Sequence, residues 1–85
     1  MKITVTQEDI NLGKRRDGWH CPIALACQRI YQKSFMIDFR SAYNNKEMTF
    51  KVFDLPQEAQ EFVKRFDNRD EVQPFTFETI DPTGH

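Results

Sequence analysis

A chain of 85 residues is one domain's worth, close to the size at which a lone hydrophobic core needs help to hold, and its eight Phe, two Tyr and one Trp supply that help. The net charge of −1, with a pI near 6.1, argues against binding nucleic acid by bulk electrostatics, since neutralising phosphates takes a basic surface; only a local basic patch remains open. No apolar run approaches the roughly 18 residues of a membrane span, and MKITVTQ lacks an apolar signal core, so no membrane partner is expected and the chain reads as cytosolic.

Residues 2–6, KITVT, alternate polar and β-branched side chains, the pattern of a short strand. Thr6 stands three before Asp9, a capping box with Asp in the usual place of Glu, which predicts a short helix to about Leu12 ending at Gly13. KRRDGWH has no period and contains Gly18, so it reads as a loop. Pro22 suits a first helical position, where its missing N–H would be unbonded anyway, and Cys21 then becomes a weak N-cap. Ile23, Ala26, Cys27, Ile30 and Tyr31 follow at helical spacing, predicting a helix over 22–32. Cys21 and Cys27 on that helix lie about 9 Å apart along its axis. That is beyond disulfide reach, so both are expected to be free thiols, as a reducing compartment allows.

From Ser34 to Arg40 the pattern turns to period two, with Phe35, Ile37 and Phe39 opposite Met36, Asp38 and Arg40. Asn44 and Asn45 mark a turn, and Glu47 to Phe53 resumes the alternation with Met48, Phe50 and Val52 facing one way, which together predict a β-hairpin. Leu55-Pro56 opens the clearest amphipathic stripe, Leu55, Ala59, Phe62, Val63 and Phe66, with Asp54 as its expected cap and an end near Asn68. Beyond NRDEV, Pro74 leads into FTFETI, a last strand with Phe75 and Phe77 alternating with Thr76 and Glu78. The order predicts an α+β fold, βαββαβ with an extra helical turn after the first strand. Its expected form is a small antiparallel sheet with two helices on one face, ferredoxin-like or a close variant. Residues 1–80 would form this single domain and 81–85 a frayed tail.

The chemistry concentrates in GKRRDGWHCPIALAC, Gly13 to Cys27. If Pro22 begins a helix, the amides of Ile23 and Ala24 point out of its N-terminus, where anions are favoured. Lys14, Arg15, Arg16 and His20 precede that end. Together they are a candidate site for a small anionic ligand such as a nucleotide or cyclic nucleotide, with Trp19 offering a face for a base. The ordinary alternative is a loop of solvated charges, partly neutralised by Asp17, with Trp19 folded back on the core. A third reading makes the same residues a protein-binding surface.

Other chemistries find less support. Cys21 at a helix N-terminus would be activated, but a catalytic thiol needs an oriented base, and neither His20 nor His85 is placed by the sequence to serve. Cys21, Cys27 and His20 lack paired metal-ligand spacing, and no glycine-rich phosphate loop occurs, so neither metal nor cofactor is expected. The Phe residues at 35, 39, 50, 75 and 77 read as core, and the glycine–aromatic signature of RNA-binding sheets is missing. Met36, Tyr43 and Phe53 would leave an apolar patch on the open face of the sheet, favouring a protein partner. The run QEAQEFVKRFDNRDE reads as a wet helix face. Its Glu58, Glu61, Asp67, Asp70 and Glu71 would imitate a nucleic-acid backbone were Lys64, Arg65 and Arg69 not interspersed. An exposed edge strand would permit a homodimer.

The blocks Ile3-x-Val5 with Asp9-Ile10, Cys21-Pro22-Ile23-Ala24-x-Ala26, Leu55-Pro56-x-x-Ala59-x-x-Phe62-Val63-x-x-Phe66-Asp67 and Val72-x-Pro74-Phe75-x-Phe77 resemble a family of small proteins encoded by tailed bacteriophages and prophages. The matching positions are mostly caps and core, so the resemblance carries over no catalytic residue. It implies a setting, the host cytoplasm, and a role: binding and inhibiting a host protein, including components or nucleotide signals of bacterial defence, without catalysis. The Lys14–Arg16 loop and the aromatic hairpin depart from that pattern.

Overall fold

The structure is a computed structural model and describes residues 2–38, 40–44 and 51–79. Its elements are β1 (Lys2–Val5), α1 (Gln7–Leu12), α2 (Pro22–Tyr31), β2 (Met36–Ile37), β3 (Ser41–Tyr43), β4 (Lys51–Asp54), α3 (Gln57–Asp67) and β5 (Phe75–Glu78). The strands form two antiparallel sheets, β1–β5 and β2–β3–β4. The fold is therefore α+β, as expected, but among the described residues the anticipated single sheet is divided in two. No helix among them is long and apolar enough to cross a membrane.

The helix starts follow local chemistry. The Thr6 hydroxyl accepts from the Asp9 amide at 3.1 Å while the Asp9 carboxylate accepts from the Thr6 amide at 2.9 Å, so the capping box is complete. The same carboxylate, 7% exposed, pairs with Arg29 of α2 at 2.8 Å. Arg29 also donates to the Thr4 carbonyl and so ties β1, α1 and α2 together. Pro22 occupies the first turn of α2 with Cys21 as N-cap, and Gln32 closes the helix in the left-handed region at φ 57°. Asp54 does not cap α3: Pro56 is the N-cap and makes no side-chain cap bond. The Asp54 carboxylate pairs instead with Lys51 and accepts from the Ser41 hydroxyl.

The hairpin region departs furthest from its pattern. Asp38 Oδ1 accepts from the amides of both Arg40 and Ser41 at 2.8 Å, a side-chain turn that ends β2 after two residues and starts β3. In β3–β4, Ala42 faces Phe53 but Tyr43 faces Lys51, so Val52 is the extra residue of a bulge. The bulge exchanges the faces of the strand. Phe53, expected on the open face, is 1% exposed, and Val52 is half-buried. Met36 and Tyr43 remain half-buried. Phe39, Asn45, Met48 and Phe50 lie outside the described residues.

The two sheets share one core. Rings follow one another from Tyr31 to Phe35 (4.9 Å between centroids), to Phe53 (6.4 Å) and across to Phe77 on the other sheet (6.4 Å). From there they pass to Phe75 (5.5 Å), to Phe62 of α3 (4.8 Å) and to Phe66 (6.3 Å). Such pairs contribute about 0.5–1.5 kcal/mol beyond the area they bury. Phe53 is the ring that passes from sheet to sheet. Phe53→Ala is therefore expected to cost about 3–5 kcal/mol, a large share of the stability of a domain this small. Urea unfolding followed by circular dichroism measures it.

Candidate functional site

The loop between α1 and α2 is fixed from both sides. Within it, the Lys14 amide donates to the His20 carbonyl (2.8 Å) and the His20 amide to the Asp17 carbonyl (3.1 Å). Asp17 accepts from the Trp19 amide (3.0 Å), and its other oxygen meets His20 Nδ1 (2.8 Å). Outside it, the Gly18 carbonyl accepts from the Ile37 amide at 2.8 Å, and Gln28 Nε2 donates to the Trp19 carbonyl. Gly18 permits that approach, since a Cβ there would stand 2.6 Å from the Ile37 oxygen.

The end of α3 is the loop's other anchor. Arg15 Nε donates to the Phe66 carbonyl at 3.1 Å, and its guanidinium lies 5.3 Å from the centre of the Phe66 ring. That carbonyl belongs to the last turn of α3, so a cation there also favours the helix dipole. The Arg16 amide donates to Asp67 Oδ1 at 2.9 Å, with Arg16 itself in the left-handed region at φ 58°. The turn after α3 closes with Arg69 N–H to Phe66 O and Asp70 N–H to Arg65 O, a Schellman pattern with Arg69 left-handed at φ 66°.

These bonds sort the residues singled out by the sequence. Lys14, Arg15, Arg16 and His20 are exposed and Trp19 is half-buried, but they do not converge on one point. Arg15 turns back to α3 and His20 to Asp17. Lys14 and Arg16 alone of the four have side chains with no ion pair or hydrogen bond among the described residues. Ile23 and Ala24 are fully buried. The Ala24 amide donates to Cys21 Sγ at 3.4 Å, and the Ile23 amide also faces that sulfur. The Leu25 amide is taken by the Cys21 carbonyl. The donors expected to hold an anion are thus occupied by a thiol. The hollow beside them, about 160 Å³, presents Asp17, Asp38 and Asp67 against Arg16.

Neither thiol is poised for chemistry. Burial pushes Cys21 up to about 11 and Cys27 up to about 12. Among the described residues no three His, Cys, Asp or Glu side chains are grouped to hold a metal ion.

Sequence pattern did not reveal a second surface. Between α3 and the segment 71–75 lies a groove of about 260 Å³, with Phe62, Val72 and Phe75 as floor and Glu58, Glu61, Glu71, Gln73 and Arg65 around it. An adjoining hollow, lined by Arg15, Phe66, Arg69, Glu71 and Val72 among others, connects it to the loop. The acids were visible in the sequence as a charge run, but their arrangement around aromatic rings depends on where β5 returns.

No family model, no curated protein and no solved structure matches the chain.

Two outcomes are expected from the groups just described. At pH 8 neither cysteine of the native protein should react with a thiol reagent, whereas both should in denaturant; mass spectrometry counts the adducts. The Asp17 carboxyl is held below its ordinary 3.8, first by the His20 hydrogen bond, against a burial penalty, and further by the Trp19 amide. Because the folded value is the lower one, this contribution is fully present above 3.8 and is lost as pH falls through the folded value. In an NMR titration Asp17 should titrate below 3.8 with the Trp19 amide following it, and a midpoint above that value would contradict the arrangement.

Proposed function

We propose that the chain is a non-catalytic binding protein: a phage accessory protein that acts in the host cytoplasm by holding, and so inhibiting, a host protein such as a defence component. The phage setting rests on the resemblance of the sequence blocks. The contact surface is the loop 14–20. One observation carries this reading: the loop backbone is held within itself, to β2, to α2 and to α3, while Lys14 and Arg16 extend from it unpaired among the described residues. A loop ordered before binding loses little entropy on docking, and unpaired cations on it steer and orient an acidic partner surface. As part of the same proposal, the fold is a variant of the βαββαβ ferredoxin-like arrangement with its sheet opened between β1 and β4; the antiparallel pairing of the first and last strands supports it.

Arg15 is a poor probe of this surface, because its loss also frees the end of α3. The informative variant is Lys14→Glu/Arg16→Glu. Native mass spectrometry of tagged protein recovered from nuclease-treated bacterial lysate should find a protein partner on the wild type and none on the variant, with equal thermal midpoints for the two. A small added mass lost in the variant would replace this reading with that of an anionic ligand. A bare chain or a homodimer from the wild type would overturn it.

A further inference from the structure

We propose that the groove between α3 and the segment 71–75 is a docking site for a peptide segment of a partner protein that presents a large apolar side chain flanked by Lys or Arg. This site is separate from the loop 14–20 and does not depend on its role.

The floor sets the apolar part. Phe62 stacks on Phe75 at 4.8 Å with 27° between the ring planes, and Phe75 stacks in turn on Phe77. Phe62 and Phe77 are buried, but Phe75 and Val72 are only half-covered. A half-covered Phe75 ring beside a half-covered Val72 invites another apolar group, because covering them releases water at about 25 cal/mol per Å². The groove's 260 Å³ falls short of the roughly 300–1,000 Å³ of small-molecule pockets. It suits one or two side chains of a peptide rather than a cofactor.

The rim sets the charge. Glu58 and Glu61 line the groove from α3, and Glu71 lines it from the exit segment. Against them stands Arg65. None of the three carboxylates is in an ion pair among the described residues: Glu61 accepts from Gln57 and Glu71 from Gln73, both neutral. Acids on both walls with an apolar floor between them complement a basic–apolar–basic sequence and repel an acidic one. Amphipathic segments are recognised in grooves by this combination of anchor and flanking charge.

The test uses the full chain and the synthetic peptide KKRFLKK, blocked at both ends, with KKRSSKK and EEEFLEE as controls. Amide shifts on adding KKRFLKK should be confined to residues 58–75, and both controls should bind at least about tenfold more weakly. Glu58→Lys/Glu61→Lys/Glu71→Lys, all three exposed, should fold normally and lose KKRFLKK binding by a similar factor. Lys14→Glu/Arg16→Glu should keep it, which separates this site from the loop. Equal binding of KKRSSKK would reduce the effect to charge alone and overturn the proposal. So would shifts elsewhere on the surface, no binding, or a concentration-dependent dimer that fills the groove with a second copy.

Discussion

The interaction on which the rest depends is the succession of aromatic rings through the core. Among the described residues the two sheets have no ladder in common, so no backbone hydrogen-bond register there fixes one against the other. Side-chain packing in the shared core does so, with Phe53 and Phe77 meeting between the sheets, Phe35 and Tyr31 behind the first ring and Phe75 and Phe62 behind the second. Ring packing is less directional than a ladder but covers more apolar area per residue. For a chain of 85 residues, whose surface is large relative to its interior, that is an efficient way to join two small sheets.

The same succession reaches the surface at both candidate binding regions. At Phe66 it meets the Arg15 guanidinium, and at Phe75 it forms the groove floor. The loop and the groove are therefore neighbours along one line of packed side chains, joined by the turn 69–72 that borders both. Their charges differ in sign, cationic at Lys14 and Arg16 and acidic at Glu58, Glu61 and Glu71. The molecule presents two chemically distinct surfaces on adjoining ground.

Local chemistry was legible in the sequence and distant chemistry was not. The capping box at Thr6 and Asp9, Pro22 at the start of α2 and the part of the α3 stripe from Ala59 to Phe66 each depend on residues close along the helix, and each forms as its spacing predicts, while Leu55 lies before the helix rather than in it. β3 was missed because its start depends on Asp38 satisfying two amides, which shortens β2 and leaves a three-residue strand too brief to show a period. Phe53 was placed on the wrong face because one bulged residue exchanges the parity of a strand. The basic loop was identified by composition, but the fate of each cation turned on partners far along the chain: Phe66 for Arg15 and Asp67 for the Arg16 amide. No spacing rule connects those positions.

The backbone turns left-handed at Arg16, Gln32 and Arg69. These are positions where glycine is at ease and a Cβ costs about 1–2 kcal/mol. Gln32 and Arg69 end helices, and Arg16 lies in the proposed contact loop. A domain with a net stability of about 5–15 kcal/mol thus carries strain equal to a sizeable part of it in its turns. Its bends therefore subtract from a stability that the aromatic core supplies.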